Sequence, residues 1–179
     1  MMPLGTKAPD FALNDVVTGR TVSRDDYADA TALLVMFICN HCPYVKHVAS
    51  QLAALGRDYK GSDVAMVAIN SNDPESYPED SPSAMMAEAT MRGYMFPYLF
   101  DETQDVARAY TAACTPDFFL FGPDRTLVYR GRLDESRPDS GIPVTGEELR
   151  AAIEAVRAGE PVAEDQYPSM GCSIKYRAS

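Results

Sequence analysis

Residues 32–47, ALLVMFICNHCPYVKH, constrain the fold more than any other part of the chain. The run Ala32 to Ile38 is wholly apolar, with β-branched and aromatic members, the pattern of a central strand covered on both faces. A short polar stretch and a proline follow, and then Val45, Val48, Leu52 and Leu55 recur at helical spacing until Gly61. A second apolar run, Asp63 to Asn70, repeats the strand pattern. Strand, cysteine-bearing loop, helix and strand in that order predict a βαβ unit with a parallel pair and a right-handed crossover, so the fold class is α/β.

Downstream, the proline-rich SNDPESYPEDSPS predicts a polar loop, AMMAEATMRGYM a helix ending near Gly93, FPYLFD a short strand and ETQDVARAYTA a further helix. The segment TPDFFLFGPDRTLVYRGRL predicts a β-hairpin, with strands Asp117 to Phe121 and Leu127 to Arg132 around the turn Gly122-Pro123-Asp124. A last helix is expected from about Thr145, its plausible cap, to about Ala158, with Glu147 and Glu148 in the first turn. The expected organisation is one domain over residues 1–158, followed by an extended tail, 159–179, that shows no periodicity.

With 179 residues the chain can bury a real core. A formal net charge of -10 and the lack of a long Lys/Arg run exclude nucleic acid and anionic membrane as natural partners. The opening MMPLGTKAPDF lacks the basic-then-apolar pattern of a signal peptide, and the longest apolar run is too short to span a bilayer, so a cytoplasmic location is expected. Four cysteines, Cys39, Cys42, Cys114 and Cys172, are too few for a secreted disulfide scaffold. In a reducing compartment such residues are more often catalytic or metal-binding than structural.

Three segments carry a family likeness: GTKAPDFAL (Gly5 to Leu13), FICNHCPYV in the loop, and CTPDFFLF (Cys114 to Phe121). Together with the element order they resemble the redoxin branch of the thioredoxin superfamily. That branch joins peroxiredoxins of the AhpC/TSA type to membrane-tethered thiol reductases of the ResA and TlpA type. The likeness runs from Gly5 to Ala158. It implies a thioredoxin-like fold, a central mixed sheet flanked by helices with an N-terminal extension and the C-terminal tail. It also implies that Pro116 is a cis-proline opposite the active-site thiol and that the backbone of Thr115 is the docking edge for an incoming extended peptide. The ending PSMGCSIKY resembles that of a thioredoxin-like subgroup, which implies kinship without an activity.

Two registers fit the loop. Cys39-Asn40-His41-Cys42 has the spacing of a redox CxxC, with Cys39 attacking, Cys42 resolving and His41 placed as in bacterial disulfide-forming oxidases. Counted instead from Phe37, the reductase pattern Phe-Trp-Ala-x-Trp-Cys-x-x-Cys puts the attacking cysteine on Cys42, Val45 in the second cysteine's place and Cys39 in the loop as an additional thiol. Local physics favours Cys42. Pro43 suits a first helical position, where its missing N–H costs nothing and its φ is already helical. Cys42 is then the N-cap, facing free N–H groups and the positive end of the helix dipole, which lower a thiol pKa. Cys39 becomes the first choice as resolving thiol. The bland alternative is that one or both are buried, inert thiols.

Cys114 is expected near the same site, as a partner for Cys42 or a packed bystander. Cys172 would be a resolving thiol if the tail brought it back, though a tail cysteine is more often incidental. His41 is expected to stabilise a thiolate, His47 to lie at the surface and Asp117 to be within proton-exchange reach of a thiol. The buried acid that thioredoxin carries six residues before its attacking cysteine falls on Met36 or Leu33, which argues against fast reduction of disulfides.

The expected function is a thiol-disulfide oxidoreductase acting on protein or small-molecule thiols and disulfides without a cofactor. A peroxiredoxin-like thiol peroxidase, an antioxidant role with peroxide as substrate, ranks second. Its Pro-x-x-x-Thr/Ser-x-x-Cys motif has Cys39 here in place of Thr and lacks the proline, and TPDFF supplies no arginine. Soft-metal binding by Cys39, Cys42 and a nearby His, as in the similarly folded Sco-type copper chaperones, ranks third because those proteins use a longer cysteine spacing and are exported.

Overall fold

The computed structural model describes residues 1–178. The expected βαβ unit is its centre: β3 (Ala32–Phe37), α1 (Pro43–Tyr59) and β4 (Val64–Asn70), the strands parallel and in register from Ala32 opposite Val64 to Phe37 opposite Ile69. Every residue of β3 is buried, as its unbroken apolar sequence requires. Its side chains alternate between two faces. Leu34 and Met36 join Val48, Leu52 and Leu55 of α1 in one core, while Leu33, Val35 and Phe37 join a second core with Val67, Ile69, Phe119 and Phe121. Each fully buried large apolar side chain contributes roughly 1.5–3 kcal/mol over its exposed state.

The remaining elements are β1 (Ala12–Asp15), β2 (Thr21–Ser23), α2 (Pro82–Arg92), β5 (Tyr98–Phe100), α3 (Asp105–Ala109), β6 (Cys114–Thr115), β7 (Asp117–Phe121), β8 (Leu127–Gly131), α4 (Glu147–Arg157) and β9 (Cys172–Ser173). Seven strands form one mixed sheet in the order β2-β1-β5-β4-β3-β7-β8. The predicted hairpin β7–β8 is antiparallel and packs β7 against β3. Residues of α1, α2 and α4 fill the first core, and Val106 and Ala107 of α3 the second. Among the described residues no helix is long and apolar enough to cross a membrane.

Four features add to or adjust the sequence expectation. The N-terminal extension folds into the β1–β2 hairpin and joins the sheet by pairing β1 antiparallel to β5. The helix expected over 102–112 is only Asp105–Ala109, since Thr111 takes a left-handed φ of 51° and turns the chain. The last helix begins at Glu147 behind Gly146 (φ 71°), and the Asp134 carboxylate accepts hydrogen bonds from the amides of Thr145 and Gly146 at 2.8 and 2.7 Å. Thr145 therefore sits one residue before the cap, where its hydroxyl accepts from Glu147 N at 3.2 Å.

The tail is the fourth. From Gln166 to Arg177 it is tied to the domain by hydrogen bonds. The Gln166 side chain bonds to Arg130 N and Val128 O of β8, Arg132 N donates to Tyr167 O, and β9 pairs antiparallel with β6, Cys114 opposite Ser173 and Thr115 opposite Cys172. Ile174 is buried in the second core. No hydrophobic period marks this segment because it is held by backbone and side-chain hydrogen bonds rather than by a repeating apolar face.

Candidate active site

The end of β3 delivers the loop directly to the N-terminus of α1. Pro43 opens the helix and Cys42 is the N-cap, with an extended backbone (φ -71°, ψ 126°). Cys42 is fully buried, its sulfur 3.5 Å from the Thr115 carbonyl oxygen and 2.8 Å from the sulfur of Cys172. The Cys42 pKa is held far below the thiol range. The first cause is a hydrogen bond from the Cys39 thiol, and Cys172 and the Val45 amide add to it against the opposing effect of burial. The pKa of Cys39 moves the other way, upward, first because its proton is shared with Cys42 and then because it is buried. One thiolate and one thiol is the physically consistent division of charge. Cys39 also lies 3.4 Å from the Thr115 hydroxyl.

Across from the loop, the Thr115–Pro116 peptide bond is cis. The edge of Thr115 faces β9 of the same chain. Gly171 passes so close that a Cβ there would lie 2.0 Å from the Thr115 carbonyl oxygen. Cys172, a half-buried tail residue, thus reaches the sulfur of Cys42 from 130 positions away in the chain. Its own pKa is pushed up to about 11, by burial and by the neighbouring Cys42. Cys114 lies on β6 beside the site, its thiol raised to about 12 by burial and by Asp117, with the Pro116 carbonyl at 3.9 Å as its hydrogen-bond acceptor. Asp117 accepts from Ser169 Oγ at 2.7 Å and from Ala113 N at 3.4 Å, and burial raises it to about 6.

His41 is engaged by Asp80 and Tyr77. Its Nδ1 pairs with the fully buried Asp80, and its ring stacks on Tyr77 with centroids 5.0 Å apart. Asp80 also accepts from Asn40 N (2.7 Å), Asn70 Nδ2 (3.1 Å) and Asn72 Nδ2 (3.1 Å). Cys39, His41 and Asp80 place one donor atom each within 4.8 Å of one another, a spacing at which three such atoms can hold a metal ion. The Asp80 oxygens, however, are already engaged by these four protein groups, which makes the cluster a better loop anchor than a ligand set. His47, on α1, contacts Ser136 Oγ at 3.3 Å.

Residues 4–130 match the sequence model of the AhpC/TSA family. The chain belongs to the AhpC/TSA family. Among solved structures, an uncharacterised conserved protein from Geobacillus kaustophilus is similar over the whole chain and 95% of its own length, with 57% identity and a TM-score of 0.98. A hypothetical protein from Sinorhizobium meliloti is similar over 100% of this chain and 97% of its own, at 48% identity and a TM-score of 0.98. A candidate thiol:disulfide interchange protein, DsbE, from Chlorobium tepidum covers 87% of this chain and 99% of its own at 20% identity and a TM-score of 0.69, a likeness of fold. No functionally curated protein matches.

In this AhpC/TSA-family chain the loop, Thr115 and Pro116 meet, and Cys172 arrives with them. Sequence reasoning missed Asp80, together with Asn40, Asn70, Asn72 and Tyr98, whose hydroxyl donates to Asn40 Oδ1 at 2.8 Å. Asp80 stands in SYPEDSPS, a stretch that reads as a solvated acidic loop, and no local pattern separates its buried carboxylate from the exposed Glu79 beside it.

Proposed function

We propose that the protein is a thiol-disulfide oxidoreductase in which the Cys42 thiolate attacks a sulfur of a partner disulfide. The observation that carries this reading is Cys42 at the N-cap of α1, its charge held by the Cys39 thiol and the Val45 amide. A thiolate is the attacking species in disulfide exchange, and a lowered pKa keeps it ionised at neutral pH. In the first step the Cys42 sulfur bonds to one partner sulfur, the partner S–S bond breaks, and the other partner sulfur leaves as a thiolate. Cys39, expected as the resolving thiol, is better placed as the proton donor that keeps Cys42 charged, since burial and that shared proton oppose its own ionisation.

The partner is a protein or small-molecule disulfide. Cys42→Ser is expected to abolish exchange with a model disulfide such as oxidised glutathione, whereas exchange at the wild-type rate would remove Cys42 from the mechanism. Family membership favours a second reading, reduction of peroxide by the same thiolate. It ranks lower because the groups around Cys42 are two thiols, an amide and a carbonyl, with no cation to polarise a peroxide among the hydrogen-bond partners in the described residues. Hydrogen peroxide consumed faster than disulfide would reverse the order.

A further inference from the structure

Resting on the reading of Cys42 as nucleophile, we infer that residues 171–173 of the tail are a built-in substrate strand: Cys172 is the thiol that resolves Cys42, and its strand must leave the Thr115 edge before an extended partner can dock.

Three observations converge. The edge of Thr115 is taken by β9, which pairs with it in the antiparallel manner of an added peptide strand. Cys172 is placed directly opposite Thr115, and its sulfur lies 2.8 Å from that of Cys42, so a bond between them needs little backbone movement. The approach is permitted by a residue without a Cβ, since any side chain at 171 would collide with Thr115. The strand is also anchored on its far side. Lys175 N donates to Asn72 Oδ1 at 2.8 Å, Asp73 N donates to Lys175 O at 2.9 Å, and Arg177 N donates to Gln104 Oε1 at 3.0 Å. Those contacts return the strand to the same register after it has lifted.

The chemistry balances as the first half of a cycle, and a thiol reductant, reduced glutathione in the test below, returns the protein to its dithiol form in the second half. With the tail lifted, the Cys42 thiolate attacks a partner R–S–S–R′, forming Cys42–S–S–R and releasing R′S⁻. That thiolate takes the proton of Cys172 as the tail returns. The Cys172 thiolate then attacks the Cys42 sulfur, the Cys42–Cys172 bond forms, and RS⁻ leaves and is protonated by solvent. One partner disulfide has been reduced by two electrons, and two protein cysteines have been oxidised to one disulfide. The timing is favourable, because two of the causes that raise Cys172 are its hydrogen bond to Cys42 and the charge of Cys42. Both vanish once Cys42 is bound in the mixed disulfide. Resolution is thereby coupled to expulsion of the partner from the Thr115 edge.

The test is a peptide map of the full-length protein equilibrated in glutathione redox buffers, with free thiols blocked and bridges located by mass spectrometry. A Cys42–Cys172 bridge is expected in the wild type and in Cys39→Ser alike. Cys172→Ser is expected to trap glutathione on Cys42 and to slow multiple turnover roughly tenfold or more, because an intramolecular thiol at high effective concentration is lost. Gly171→Ala keeps every thiol but crowds Thr115, and it is expected to slow closure of the same bridge, which covers the case of a poorly folding Cys172→Ser. A dominant Cys39–Cys42 bridge, or Cys172→Ser turning over at the wild-type rate, overturns the inference and leaves Cys42 as nucleophile untouched. Unimpaired exchange by Cys42→Ser overturns the reading beneath it as well.

Discussion

At the scale of the residue, the site depends on how one proton is shared. Burial alone would keep both Cys39 and Cys42 neutral, as it keeps Cys114. The hydrogen bond from Cys39 is what lets Cys42 ionise, so removing it should return Cys42 toward ordinary thiol behaviour. Because the folded pKa of Cys42 is lowered, its alkylation rate should stay level as pH falls from 8 through 6, where an ordinary thiol of pKa about 8.5 would lose roughly tenfold per unit. In Cys39→Ala the midpoint of the profile should move up toward neutrality, and in Cys39→Ser, which keeps a donor, it should move less. Iodoacetamide labelling against pH, read by mass spectrometry at Cys42, measures both, and an unmoved midpoint in Cys39→Ala would show that the thiol donor is not what holds the charge. Cys42 as N-cap was legible in the sequence because Pro43 announces the first turn of a helix. Asp80 was not, because a buried carboxylate is recognised by the groups that donate to it, and its partners Asn40, Asn70 and Asn72 come from two other segments.

At the scale of the element, β3, α1 and β4 could be read directly, since each carries enough apolar residues in one period to specify its type and its buried face. Leu52 shows what that burial contributes: it is fully enclosed between α1 and the sheet, and Leu52→Ala should cost about 2–5 kcal/mol, depending on how far the cavity collapses. Urea unfolding of the reduced protein measures it, and a loss under about 1 kcal/mol would mean that the first core is looser than its packing suggests. The short elements escaped. Strands β1 and β2 have four and three residues, and β9 has two, so none offers a period to detect. Their pairing is decided by the edges they meet: β5 for β1, and the Thr115 segment for β9. Gly131 fits the same account. Its φ of 134° and the absence of a Cβ admit the Tyr167 carbonyl, whose oxygen would lie 2.0 Å from any side chain there.

At the scale of the whole molecule, the tail joins the last part of the chain to the edge strand β8 and to the loops that follow β3 and β4, so oxidation should change global stability. A bond between positions 42 and 172, 130 apart, would close most of the polypeptide into a loop. Cross-links over long loops typically stabilise by ~2–4 kcal/mol through the unfolded state. The oxidised protein is therefore expected to unfold at higher urea than the reduced one, and the difference should disappear in Cys172→Ser. Equal midpoints for the two redox forms would count against the long loop, whereas a bridge within residues 39–42 would give little such effect.

The cover over Cys42 also separates two properties that usually rise together, acidity and exposure. A thiolate open to solvent is the group most readily carried up the ladder from sulfenic to irreversible sulfinic and sulfonic acids. Here the sulfur is stored beneath a strand of its own chain, so the rate of such damage is the intrinsic reactivity of the sulfur scaled down by the fraction of time that residues 171–173 are lifted. On the proposed mechanism the enclosure is a kinetic safeguard, keeping the Cys42 sulfur intact between encounters.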